Sequence, residues 1–444
     1  MKVNNNLIKG NETKAMITFA TPMIIGNMFQ QLYNVADSII VGKFIGPDAL
    51  AAVGSSFTLM VFLTSIILGL CMGSGAVFSY FYGAGENNKL KNSFFTSFVF
   101  IGIVSLLLQI GAIAFIDEIL NLIRIPNEIL SDTKAYIEII FYGIIFTSIY
   151  NYFASIARSI GNSTTPLIFL IISTVINIVL DLIFIIPMDM GIRGAAYATI
   201  IAQAISAIGI GVYSFVKIPQ VRISSKDIFL DKKMVARISN YSILASIQQS
   251  IMNFGILMIQ GLVNSFGVQV MAAFTAAVKI ENFAYMPVQD FGNAFSTFIA
   301  QNKGAKENKR IKRGIRSAIK IITLYCLIIS GLVLIFANPL LRIFIDRSEV
   351  EILKIGVQYL TIVAPFFFLI GYLFMFYGLY RGLGSGGISI ILTIVSLGTR
   401  VLLAYSLSAI PAIGLVGIWW AIPIGWGLAD LSGFLLLKVS RDFK

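Results

Sequence analysis

An all-α polytopic membrane protein is the fold class this sequence predicts. It should hold twelve transmembrane helices in two six-helix bundles, related by a parallel internal repeat around a central cleft. Three observations predict it. The first is composition: 57% of the 444 residues are hydrophobic, only 12% are charged, and the mean hydropathy is +0.87, well outside the soluble globular range. The second is spacing, because apolar windows of about 20 residues, the length that spans a hydrocarbon core, recur along the chain between short polar turns. The third is self-similarity between the halves.

Span by span, 15–42 carries a polar stripe and an internal Pro22, and 54–82 ends in the turn FYGAGENNKLKN. Spans 93–116 and 134–157 follow, the latter holding Tyr136. Span 164–187 contains VINIVLDLIFIIP, and 191–216 follows GIRGAA. A polar stretch comes next, so the expected lobes are 1–216 and 237–444, joined by a cytoplasmic linker at 217–236. Span 237–266 offers Gln248, Gln249, Asn253 and Gln260 as its notable polar residues, whereas 274–302 holds Lys279, Glu281 and Asp290. Spans 314–337 and 353–380 lack carboxylates, 387–410 contains Arg400, and 414–437 contains Asp430. Alternating strands of the barrel type are not evident.

The net charge of +12 is explained by topology and needs no nucleic acid. With the N-terminus in the cytoplasm, 23 Lys and Arg fall on that side, 7 on the other and 3 within spans, as the positive-inside rule requires. The protein is therefore expected in the plasma membrane, multi-pass and monomeric, with both termini cytoplasmic. Its basic loops at 217–237 and after span eight are expected to anchor lipid headgroups. The polar stretch MKVNNNLIKGNETK shows no apparent cleavable signal, and none is expected. Cys71 and Cys326 lie within spans and imply neither disulfide nor metal site. Histidine is absent, which removes imidazole chemistry and leaves carboxylates as proton carriers. No HExxH or GxGD pattern occurs, so an intramembrane enzyme is not expected.

The repeat can be read directly. FYGAGENNKLKN matches NKGAKENKRIKR at an offset of 221 residues, which also lays Ala51–Ala52 on Ala272–Ala273 and Gly46 on Gly267. An offset of 223 lays Tyr136 on Tyr359, Arg158 on Arg381 and Gly161 on Gly384. Six spans is an even number, so the second unit enters from the same side as the first, the arrangement of parallel-repeat transporters.

Two carboxylates stand out. Asp37 follows Gln30, Tyr33 and Asn34 by seven, four and three residues, and Asp181 follows Asn177 by four, so each lies on a polar helix face. An ionisable group at that depth is a functional candidate. At about 1.5 Å of rise per residue, Asp37, Tyr136, Asp181 and Thr199 share one layer in the outer half of the bilayer. Two carboxylates, an amide oxygen and a hydroxyl form a set that sodium accepts. The same pair of carboxylates can instead share one proton, since neighbouring like charges oppose double ionisation. A structural role remains open for Thr199 and Tyr136.

The sequence resembles the multidrug and toxic compound extrusion (MATE) family nearly end to end. The resemblance rests on TPMIIGNMFQQLYNVADSIIVG, on NIVLDLIFIIPMDMGIRGAAYATIIAQ and on AAFTAAVKIENFAYMPVQDFGNAFSTFIAQNKGA. It implies an antiporter that exports cationic or amphipathic small molecules in exchange for protons, sodium ions or both, with no cofactor. Ion coupling is implied at Asp37, Asn177, Asp181, Thr199 and Tyr136, with a sodium set of Asp37, Asn177, Asp181 and Thr199, and Pro22 matches a hinge. Gln30, Tyr33, Asn34, Glu281, Asp290 and Arg400 are candidates for the cavity or substrate site.

The second half departs from the pattern. Asp37 falls on Met258, Asn177 on Arg400, Asp181 on Ala404 and Thr199 on Ile422, so the cluster is not repeated. Its deep charges are expected to pair internally, Arg400 with Glu281 or Asp430. A lipid-linked precursor flippase of the same superfamily is the competing function. The balance of Asp37, Asp181 and Asp290 against Arg400 and Lys279 favours cationic cargo over a pyrophosphate.

Overall fold

The computed structural model describes residues 7–123, 125–222, 224 and 227–439, and among them every regular element is helical. In chain order these are α1 (Glu12–Phe44), α2 (Pro47–Gly83), α3 (Asn87–Ala114), α4 (Ile116–Leu122), α5 (Asn127–Tyr142), α6 (Ile144–Ser159), α7 (Thr164–Ile185) and α8 (Gly191–Lys217). The second half continues with α9 (Lys232–Asn264), α10 (Val268–Gly304), α11 (Asn308–Ile335), α12 (Ala337–Leu341), α13 (Val350–Val363), α14 (Phe367–Gly382), α15 (Gly386–Ser408) and α16 (Leu415–Val439). Each of the twelve expected spans corresponds to one of these helices or to a consecutive pair.

Two spans are not the continuous helices the sequence suggested. The fourth is α5 and α6, bent by 43° at Gly143, where a Cβ would lie 2.7 Å from Ile200 Cγ2 and 3.1 Å from the Ile140 carbonyl. The tenth is α13 and α14, joined through the short 3₁₀ turn Ala364–Phe366 that contains Pro365. A proline withholds a backbone donor, and the ladder tightens to absorb it.

Among the described residues, nine helices are long and apolar enough to cross a membrane, α13–α14 counting as one, and the bent α5–α6 pair makes a tenth. The remaining two, α1 and α10, have the length at 33 and 37 residues. Asn27, Gln30, Gln31, Asn34 and Asp37 interrupt the first, and Lys279, Glu281, Asn282, Gln289, Asp290 and Asn293 the second. Polar residues inside membrane helices face protein or water rather than lipid, so the two least apolar helices are the ones expected to carry function.

Contacts divide the chain into two compact units. Unit 1 includes Thr18–Ser246, and unit 2 includes Leu7–Ile17 together with the chain from Ile247 onward. The linker at 217–236 separates helices, but the unit boundary falls inside α9. In unit 1, α2 packs on α3, α5 and α6, while α8 packs on α5, α6 and α7. Phe78, Phe94 and Tyr152 form edge-on aromatic pairs in the core. In unit 2, α10 packs on α11, α13 and α14, and α16 on α13, α14 and α15.

Each unit repeats the other's local geometry at the two sequence offsets. Gly46 before α2 and Gly267 before α10 both hold positive φ, 130° and 99°. Gly85 at φ 70° has Lys306 at φ 60° as its counterpart, a left-handed conformation that costs a side chain strain. In unit 1 the Ser155 hydroxyl donates to the Cys71 carbonyl at 2.7 Å. In unit 2 the corresponding Gly378 lies against the Gly292 carbonyl so closely that a Cβ would fall 2.1 Å away. Likewise Ser105 and Ser148 share a 2.7 Å hydrogen bond, where unit 2 places Cys326 Sγ at 3.1 Å from a Cβ built on Gly371. The same helix crossings are thus made with hydroxyls in one unit and glycine in the other, both being solutions for close packing in lipid.

Candidate functional site

The polar stripe of α1 turns into unit 1. Asp37 lies four residues beyond Tyr33, on the same helix face, and both meet residues of α7 and α8. The Tyr33 hydroxyl lies 3.2 Å from Thr199 Oγ1 on α8. Asn177 and Asp181, one turn apart on α7, are almost wholly buried at 1% and 0% exposure. The Asn177 amide is oriented by its neighbours: its nitrogen donates to Asp181 Oδ2 at 3.0 Å, and its oxygen accepts from the Thr199 backbone N–H at 3.3 Å. The carboxyls of Asp37 and Asp181 are hydrogen-bonding neighbours, and Tyr136 of α5 reaches Thr199 as well. Five helical residues foreseen at the coupling site therefore converge, and Tyr33 joins them.

The chemistry of the cluster follows from what is left over. One oxygen of each carboxyl, Asp37 Oδ1 and Asp181 Oδ1, is buried and has no hydrogen-bond partner among the described residues. A carboxylate pair in contact cannot hydrogen-bond without a proton between its members, and two adjacent buried anions are strongly disfavoured. Unused oxygen lone pairs beside a hydroxyl, an amide and two phenols suit either a proton or a small hard cation.

The other candidates are distributed differently. Gln30 is exposed, and the Asn34 amide donates to Gln31 Oε1 at 3.1 Å within α1 rather than to the cluster. Pro22 lies within α1 and interrupts its hydrogen-bond ladder without ending the helix. Two further prolines lie inside helices, Pro287 in α10 and Pro423 in α16.

In unit 2, Glu281 is buried and accepts a hydrogen bond from the Tyr359 hydroxyl. Arg400 is buried on α15, and its Nε has no hydrogen-bond partner among the described residues. Phe274 stacks on Trp419 at 5.6 Å, and Tyr359 meets Trp419 edge-on at 4.9 Å, so the tyrosine that holds Glu281 is packed against aromatic surface. Tyr359 is the repeat counterpart of Tyr136, and Arg400 that of Asn177. Where unit 1 carries Asn177 beside a carboxyl, unit 2 therefore carries an arginine. Lys279 does not join this group; its Nζ lies over the Phe344 ring at 5.5 Å. Asp290 is buried on α10, and Asp430, the alternative partner foreseen for Arg400, is not paired with it.

Comparison with known proteins agrees with this layout. The family model described as MatE matches twice, over residues 22–183 and 242–406, once in each repeat. The chain is 29% identical over 437 residues to the probable multidrug resistance protein YpnP of Bacillus subtilis (strain 168), covering 98% of this chain and 96% of that protein. It is 24% identical over 435 residues to the multidrug export protein MepA of Staphylococcus aureus (strain NCTC 8325 / PS 47), covering 97% and 94%. Among solved structures, an outward-facing multidrug resistance MATE family transporter of the MOP superfamily superposes with a TM-score of 0.93 at 26% identity. That match covers 100% of this chain and 99% of the other.

Proposed function

This chain belongs to the MATE family of multidrug efflux transporters, and we propose that it works by exchange, exporting cationic or amphipathic small molecules against an inward flow of protons or sodium ions coupled at Asp37 and Asp181. The observation that carries the reading is the pair itself: two buried neighbouring carboxyls, each with one oxygen unused, fastened to α8 through Asn177 and Thr199. Binding a cation here neutralises the pair, and leaving re-creates an anionic pair that draws in water or a positively charged cargo. Because Tyr33 and Asp37 share α1 with Pro22, a change in the cluster is transmitted to a helix whose hydrogen-bond ladder is already interrupted. Loading thus reshapes the polar face of α1 and expels the cargo, and unloading restores it. Both termini are assigned to the cytoplasm on the distribution of Lys and Arg.

Lipid-precursor flipping is not favoured, since the relatives are named for multidrug resistance and export. The test is efflux of a fluorescent lipophilic cation from proteoliposomes carrying Asp37→Asn or Asp181→Asn. Each variant is expected to keep its thermal midpoint within a few degrees and to lose gradient-driven efflux at least tenfold. Coupled transport retained in either would remove that carboxyl from the site.

A further inference from the structure

We propose that Asp430, on the buried face of α16, is a second proton-binding site, housed wholly within unit 2 and distinct from the Asp37–Asp181 pair. Asp430 is fifteen residues from the start of α16 and nine from its end, roughly 22 Å and 14 Å along the axis at 1.5 Å per residue, well within a hydrocarbon core. Only 4% of it is exposed, and neither of its carboxyl oxygens has a hydrogen-bond partner among the described residues.

The neighbouring helices explain why. From α14, Tyr377 lies near Asp430, but it donates no hydrogen bond to either carboxyl oxygen. Thr393 donates to the Ser389 carbonyl at 2.8 Å, and Ser389 donates to the Tyr377 carbonyl at 3.4 Å, so these hydroxyl protons are already committed. No cation pairs with it either: Asp430 makes no ion pair with Arg400 of α15 among the described residues, and Arg381 of α14 donates to Ser296 Oγ at 3.1 Å and Asn293 Oδ1 at 2.9 Å. From α13, Tyr359 is bonded to Glu281. An ionised carboxylate with neither donor nor counter-ion is the most costly thing such a pocket could hold, whereas a neutral carboxyl is tolerated. Asp430 thus sits as the acid, and it becomes an anion by losing its proton when water or a cation reaches it.

Nothing in unit 1 corresponds to this group, since Ala207 occupies the matching position at the 223-residue offset. The protonation of Asp430 stands apart from the exchange reading, while its use as an additional coupled proton rests on it. The experiment is infrared spectroscopy of the full-length protein reconstituted in lipid at neutral pH, in the carboxylic C=O region. Asp430→Asn is expected to lose a protonated-carboxyl band that survives in Asp37→Asn and Asp181→Asn. If the Asn substitution impairs folding, Tyr377→Phe is expected to shift that same band by changing the group near it. A carboxylic spectrum unchanged by Asp430→Asn, or unmoved by Tyr377→Phe, overturns the proposal. Exchange undiminished in Asp430→Asn, with the band lost, would count against the coupling reading alone.

Discussion

Thr199 is the residue on which the unit 1 cluster turns. Its hydroxyl meets Tyr33 at 3.2 Å and Asn177 at 3.4 Å, and its backbone N–H serves the Asn177 oxygen, so one side chain on α8 sets the distance between α1 and α7. Thr199→Val keeps the shape and removes the oxygen, leaving buried polar groups without a partner at a cost of about 1–3 kcal/mol. It is expected to lower the thermal midpoint in detergent and to reduce coupled efflux, and Thr199→Ser is expected to restore both. Most of this cluster was legible in the sequence, because carboxylates in apolar helices and their i−3 and i−4 companions identify themselves. The direction of each companion was not. Tyr33 and Asn34 are adjacent and equally polar, yet the first faces Thr199 while the second turns back to Gln31, a choice set by packing between helices.

At the scale of elements, helix contacts in lipid lack a hydrophobic drive and depend on close approach. The crossing of α2 with the first half of α9, within unit 1, is made by Gly69 and Gly73. A Cβ on Gly73 would fall 2.2 Å from the Tyr241 carbonyl, and one on Gly69 2.3 Å from Ser246 Cα. Ser74 and Ser242 share a 2.8 Å hydrogen bond there, and Ser242 also donates to the Leu70 carbonyl at 3.0 Å. Gly73→Leu is expected to part these helices and lower stability by more than about 3 kcal/mol, the overpacking range and beyond, read as a fall in thermal midpoint. Gly54→Ala, where nothing lies within 4 Å of the added carbon, is expected to leave it unchanged. The number and order of spans follow from hydropathy, but a window average passes over Gly143 and Pro365. The bend at the first depends on Ile200 of a different helix, a contact no local pattern announces.

For the whole molecule, the duplicated sequence became two units alike in backbone and unlike in chemistry. Unit 1 gathers two carboxyls with Asn177 and Thr199, while unit 2 places Arg400 and Ile422 at the positions matching those two residues. The chain's start also belongs to unit 2. Arg310 donates to the carbonyls of Leu7, Lys9 and Gly10 at 3.2, 3.0 and 2.5 Å, and Glu12 pairs with Arg313 at 2.8 Å and Arg310 at 3.3 Å. Partial burial works to raise the Glu12 carboxyl, but its own backbone hydrogen bond and the two arginines outweigh that and hold it below its ordinary 4.5. A depressed carboxyl contributes stability above its unfolded value and loses it as pH falls through the folded one. Hydrogen exchange over residues 7–17 is therefore expected to be slow at neutral pH and to quicken below about pH 4.5, where Glu12→Gln should already be fast at pH 7.

The central claim, that Asp37 and Asp181 couple an inward cation to outward cargo, is tested most directly by one measurement. Efflux of a fluorescent lipophilic cation is followed in proteoliposomes under an imposed pH gradient and, separately, an imposed sodium gradient. The account predicts efflux under at least one gradient and its loss in Asp37→Asn under both. Transport indifferent to both gradients, or equal in the variant, would contradict it.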